Sequence, residues 1–156
     1  MEPETALCLV LAVRRLPADW KIPEDWDITA KTGAYVHFHR EEFVADAIEN
    51  GFTHLLMIDA DLIFPANAIE RLIEKKADVA YATYNRKNRD YQDRLKDPGG
   101  FMLIDLDAVK KVEKPRFRCE YPTGEDVYFL QKARATGLKV IRDDGIVSGH
   151  IGKKVY

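Results

Sequence analysis

The sequence predicts an α/β fold, and three observations carry that reading. Apolar runs of strand length stand at residues 6–13, 54–59, 78–83, 101–104 and 138–142. Between several of them lie segments whose apolar residues recur at helical spacing, so strands and helices alternate along the chain. The run 54–58 ends in two carboxylates one residue apart, Asp59 and Asp61. In an open α/β sheet the carboxyl ends of strands are where ligands bind.

Each element follows from local chemistry. Residues 6–13 are continuously apolar and rich in Leu and Val, as expected of a buried parallel strand. Residues 14–27 carry Pro17, Pro23, Trp20 and Trp26 and read as an irregular loop, its tryptophans closing over the core or stacking on a ligand. Residues 35–38 read as a short extended piece. His37 and His39 alternate on it as two candidate metal ligands, an incomplete set. Phe43, Val44, Ala47 and Ile48 mark a helix over 40–50 that stops at Gly51. The 54–59 strand follows. Pro65 then opens a helix with Ile69, Leu72 and Ile73 on one face, and 78–83 reads as a strand.

Residues 84–100 are poor in apolar side chains, and a connection that long is functional or disordered. Arg86, Lys87, Arg89, Arg94 and Lys96 are interspersed there with Asp90, Asp93 and Asp97. A solvated loop is the default, and a lid over a diphosphate is the sharper option. Strand 101–104, helix 105–112, helix 123–136 stopped by Gly137, strand 138–142 and a turn at 143–145 complete the pattern.

Composition bounds the function. A chain of 156 residues is one domain, long enough to bury about 68–70% of its unfolded surface. With 24 basic and 26 acidic residues the net charge is -2, which argues against nonspecific nucleic-acid binding. Cys8 and Cys119 form neither a metal-binding spacing nor a disulfide scaffold. The longest apolar runs fall short of a membrane span, and the acidic start is unlike a signal peptide. A soluble cytoplasmic protein is the expectation.

Three motifs carry candidate chemistry. In Asp59-Ala60-Asp61 alternation along an extended segment puts both carboxylates on one side. A divalent cation with hard oxygen ligands is the economical reason for such a pair, and a turn or helix cap is the bland one. In Thr123-Gly124-Glu125-Asp126, Thr123 and Asp126 resemble a capping box. A carboxylate at a helix start can equally act as a general base. In Ser148-Gly149-His150-Ile151-Gly152, glycines flank an imidazole that can ligate a metal.

Together these motifs resemble those of GT-A glycosyltransferases, close to family 2. Residues 47–65, with Asp59-Ala60-Asp61, are similar to the family's central motif. Gly99-Gly100-Phe101 is similar to the segment beside its acceptor site, and Gly124-Glu125-Asp126 to its glutamate–aspartate motif. Gly149-His150-Ile151-Gly152 is similar to its late metal-binding histidine. The resemblance covers residues 36–152 and keeps the motif order.

The resemblance implies a single minimal GT-A-like domain, with a mostly parallel central sheet flanked by helices. It implies a hexosyltransferase-like enzyme that takes a UDP- or GDP-sugar donor with Mn²⁺ or Mg²⁺ across the diphosphate; charge and run length add the expectation of no specific nucleic-acid partner and no transmembrane segment. Asp61, Asp59 and His150 would serve the metal, and Asp59, Asp61, Arg40 and Asp27 the donor. Asp126 would be the general base. Glu125, Gly99 and Gly100 would bind a glycan, lipid or protein acceptor, and direct displacement would invert the anomeric centre. Where members carry a further helix and strand, residues 14–39 are short and proline-broken, leaving Asp25 or Asp27 for the base or ribose. Glu41 follows Arg40 where relatives often have Arg-Asn. Two rivals stand beside this reading. One is a nucleotidyltransferase of related fold, which would release pyrophosphate. The other is a degenerate nucleotide- or sugar-binding module.

Overall fold

A computed structural model describes residues 1–16, 27–84 and 99–151. In chain order the elements are α1 (Pro3–Val13), α2 (Val36–Glu49), β1 (His54–Ile58), β2 (Leu62–Ile63) and α3 (Ala68–Glu74). They continue with β3 (Val79–Tyr84), β4 (Phe101–Asp105), α4 (Leu106–Val109), α5 (Glu125–Ala135) and β5 (Val140–His150). Trp20, Trp26, Asp25 and the charged segment 85–98 lie outside the described residues.

The strand order is β1-β4-β3-β5-β2. The expectation of a mostly parallel sheet is corrected: the sheet is mixed. Among the described strands only β3 and β5 pair in parallel, whereas β4 runs antiparallel to both β1 and β3, and β2 antiparallel to β5. The cause is one insertion. β1 and β3 share a direction, as a crossover through α3 requires, but β4 slots between them and pairs with each. Alternation of strands and helices along the chain does not report such an insertion.

Residues 6–13 are not a strand. Pro3 stands in the first turn of α1, and Ala6, Leu7, Leu9, Leu11 and Ala12 are helix formers. Thr5, Cys8, Leu9, Ala12, Val13 and Leu16 turn inward at helical spacing against Leu62, Phe64 and Ile69, while Leu7, Val10 and Leu11 are exposed. Continuous apolarity cannot separate a helix from a buried strand, and here tertiary packing chose the helix. The extended piece at 35–38 is likewise corrected, since α2 begins at Val36. On a helix His37 and His39 point to nearly opposite sides, so the alternation that suggested chelation is lost.

Two apolar layers sandwich the sheet. Val44, Met57, Tyr81, Met102, Ile104, Phe117, Phe129 and Leu130 form one. Leu62, Phe64, Ile69, Leu72, Ala80, Phe101, Leu103 and Ile146 form the other. Successive residues of β4 alternate between the layers, Phe101 and Leu103 to one and Met102 and Ile104 to the other, as pleating requires.

The turn expected at 143–145 is a slip in the β3–β5 ladder. Ala82 pairs with Asp143 but Thr83 with Val147, and the strand then continues. Its far end pairs Gly149 with Ile63 and His150 with Leu62. The Ile151 N–H donates to the Asp61 carbonyl at 2.8 Å. This extension carries the late Gly-His-Ile segment beside the first acidic motif.

Candidate functional site

The site gathers at the end of β1. Asp59 leaves the sheet there, and its N–H donates to the Gly100 carbonyl at 2.7 Å. Asp61 lies two residues on in a turn before β2, so the pair is not on continuous strand as the alternation argument assumed. The segment at Gly99–Gly100 leads into β4, and Glu125 and Asp126 form the first turn of α5. Four sequence-predicted carboxylates and two predicted glycines therefore converge from distant parts of the chain.

Arg40 joins three of these groups. Its side chain is 6% exposed and comes from the second turn of α2. Nη2 donates to Asp59 Oδ1 at 2.9 Å, Nη1 to the Gly99 carbonyl at 3.3 Å, and Nε lies 3.5 Å from Glu125 Oε1. A guanidinium is suited to this because its donors form a fixed planar fork. One cation thus serves the strand end, the glycine segment and the α5 start at once.

Asp126 closes the arrangement. Its Oδ2 accepts the Gly99 N–H and its Oδ1 the Val127 N–H, both at 2.7 Å. The capping box is corrected: Gly124, not Thr123, is the N-cap, and it offers no side-chain bond. Gly124 has a reason to be glycine, since a Cβ there would sit 2.9 Å from Asp126 Oδ1. At Gly99 an added Cβ would meet Met102 Cε at 2.5 Å.

Crowding of like charge shows in Asp59. Burial pushes its carboxyl above the usual carboxylate range and Arg40 opposes that shift. The neighbouring Asp126, Glu125 and Asp61 push it further up. The side-chain donors at this point are carboxylate oxygens, the ligand type that hard divalent cations take. Among the described residues, however, no group of three His, Cys, Asp or Glu side chains is arranged to hold a metal ion. The His150 backbone is described opposite Leu62, but its side chain is not. Asp27 is exposed, in the segment that precedes α2.

Two features escaped sequence reasoning. Glu41 anchors the segment before α5: it accepts the Arg116 and Phe117 backbone N–H groups and pairs with the Arg116 guanidinium at 3.3 Å. Phe117 then stacks on Phe129 at 4.5 Å. The signal was Glu41 beside Arg40, one residue facing the site and the next bracing its wall. The second feature is Cys119, whose Sγ lies 3.7 Å from both His37 Nδ1 and Glu125 Oε2. Burial and the Glu125 charge raise its thiol pKa. No spacing in the sequence joins residues 37, 119 and 125.

No family model matches the sequence, and no curated protein matches it. Solved structures do. A protein of Desulfovibrio desulfuricans G20, provisionally named a nucleotide-diphospho-sugar transferase, aligns over 95% of this chain and 67% of its own. Its TM-score is 0.61 and its identity 13%. A197 from STIV aligns over 81% of this chain and 72% of its own, with a TM-score of 0.58 and 19% identity. At these identities the likeness is one of fold alone. No described helix is long and apolar enough to cross a membrane.

Proposed function

We propose that the chain is a metal-dependent glycosyltransferase that moves a sugar from a UDP- or GDP-sugar to an acceptor hydroxyl, with inversion. The observation that carries this reading is the convergence of Asp59, Asp61, Glu125 and Asp126 at one sheet end around a buried arginine. The fold shared with a nucleotide-diphospho-sugar transferase supports it.

Each residue has a role that its surroundings allow. Asp61, with Asp59 behind it, would hold Mn²⁺ or Mg²⁺, and His150 would add a ligand from β5. The metal supplies charge neutralisation for the departing diphosphate. Asp126 takes the proton of the acceptor hydroxyl. Both its oxygens already accept a backbone N–H, but a carboxylate oxygen has two lone pairs, so each retains one. Those same bonds fix the carboxylate in place, as a base must be fixed. Glu125 and the Gly99–Gly100 backbone bind the acceptor beside it.

The test is nucleotide binding read by thermal shift. UDP or GDP with Mn²⁺ should stabilise the wild type by mass action, and Asp61→Asn should abolish the metal-dependent part. Equal stabilisation of the mutant, or of wild type in EDTA, would sink the metal assignment. Turnover products then separate the rival chemistry, since a nucleotidyltransferase releases pyrophosphate from a nucleoside triphosphate. Binding without turnover on any donor would mark a binding module instead.

A further inference from the structure

Large aromatic side chains at a surface call for an explanation when they cluster. Tyr35 and Phe38, at the start of α2, are 66% and 59% exposed. Their rings meet edge to face at 6.0 Å, and the half-buried His37 ring lies 4.3 Å from Phe38. Tyr35 makes no side-chain cap bond to α2, so its ring is not there to start the helix.

The cluster adjoins the site. One turn further along α2, Arg40 reaches Asp59 and Glu125. His37 approaches Cys119, and Cys119 approaches Glu125, each at 3.7 Å. The aromatic surface therefore continues toward the Glu125 side of the site. Among the described residues, two cations of this neighbourhood are paired within the protein, Lys31 with Glu42 at 2.7 Å and Arg118 with Glu120 at 3.2 Å. A phosphate-bearing partner would want unpaired cations here. A pyranose wants something else, namely an aromatic face for its C–H side and carboxylate or imidazole groups for its hydroxyls. Glu125 and His37 supply the latter.

We propose that Tyr35 and Phe38, with His37 and Glu125 at their border, form a stacking platform for a saccharide acceptor. The inference rests on the transferase reading above, and it narrows the acceptor from glycan, lipid or protein to a sugar ring.

Saturation-transfer NMR on the intact protein tests it. The probes are the methyl glycosides of glucose, galactose and mannose, N-acetylglucosamine, cellobiose, chitobiose and maltose. At least one should receive saturation on its C–H face. The Tyr35→Ala/Phe38→Ala double variant should weaken that affinity about fivefold or more, while UDP or GDP binding with Mn²⁺ persists. Both side chains are exposed, so circular dichroism and the melting temperature should stay near wild type. Three results would overturn the platform. One is no saccharide binding by a wild type that binds nucleotide. Another is loss of nucleotide binding in the double variant, which would give the surface to the donor's base. The third is a wild-type dimer, by sedimentation, that the variant converts to monomer. Absence of nucleotide binding by the wild type counts against the transferase reading instead, and the saccharide result is scored separately.

Discussion

A guanidinium that is nearly enclosed has no water to replace a lost partner, and neither do the groups around it. Arg40→Met would leave Asp59 and Glu125 facing Asp126 without a cation between them. Removing one member of such a pair costs about 3–5 kcal/mol when it is fully buried. Asp59 is 32% exposed, which sets the expected loss at the lower end, about 3 kcal/mol by urea denaturation. Arg40→Lys retains charge but cannot span three oxygens, and it should recover only part of that loss. A full recovery would mean that charge alone matters. Asp126 follows a similar logic. An asparagine has one carbonyl oxygen for two backbone donors, so Asp126→Asn should destabilise by about 1–2 kcal/mol through Gly99 or Val127. If Asp126 is the base, turnover falls by about 10²-fold or more, beyond what that instability explains. Activity that merely tracks the folded fraction would return the residue to a structural role. The carboxylates themselves are legible in the sequence, because acids clustered after an apolar run are unusual. Arg40's three partners are not, since each contact spans a distance in the chain that no periodicity encodes.

Among the elements, α3 and β5 are joined by an ion cluster around the buried Asp143, where the sheet slips register. Arg71 Nε and Nη2 donate to Asp143 Oδ2 and Oδ1 at 3.1 and 2.7 Å. Lys75 Nζ lies 3.0 Å from Oδ2, and the Gly145 N–H donates to Oδ1 at 2.8 Å. Burial works to raise the Asp143 pKa, but Arg71, Lys75 and the Gly145 N–H outweigh it and bring it to about 2. The folded pKa is therefore below the unfolded one. The stabilisation is fully present above pH ~4 and is lost as pH falls through about 2. Asp143→Asn should cost about 2 kcal/mol at pH 7, and the gap to wild type should close between pH ~4 and ~2 in urea melts. A gap independent of pH would mean that packing rather than charge is lost. Gly145 belongs to the same cluster, since an added Cβ would sit 2.2 Å from Arg71 Nη2. Asp143-Asp144-Gly145 does read as a break in the strand, and a break is what the ladder shows. The sequence alone does not tell a bulge from a reversal, because both use short polar residues and glycine. The same ambiguity of local signal made the apolar stretch of α1 look like a strand.

At the scale of the whole molecule, the acidic turn at Asp61 and the late Gly149–Ile151 segment are brought together from about ninety residues apart. Asp61 is followed at once by β2, and among the described residues β2 pairs only with the far end of β5. A two-residue strand is marginal by itself. Its persistence depends on the Leu62–His150 and Ile63–Gly149 pairs and on the Ile151 N–H bond to Asp61. A ligand that fixes Asp61 must therefore also fix residues 149–151, because the Asp61 carbonyl is part of their ladder. Hydrogen exchange reads this directly. Adding UDP or GDP with Mn²⁺ should slow exchange at residues 61–63 and 149–151 together. In the sheet centre, β3 and β4 are flanked on both sides by strands, so their amides should be well protected with or without ligand. If Asp61 holds the metal as proposed, Asp61→Asn should remove the ligand effect at both segments. Slowing at 61–63 with no change at 149–151 would show that the β2–β5 pairing does not couple them, and the late histidine would then lose its structural link to the acidic turn.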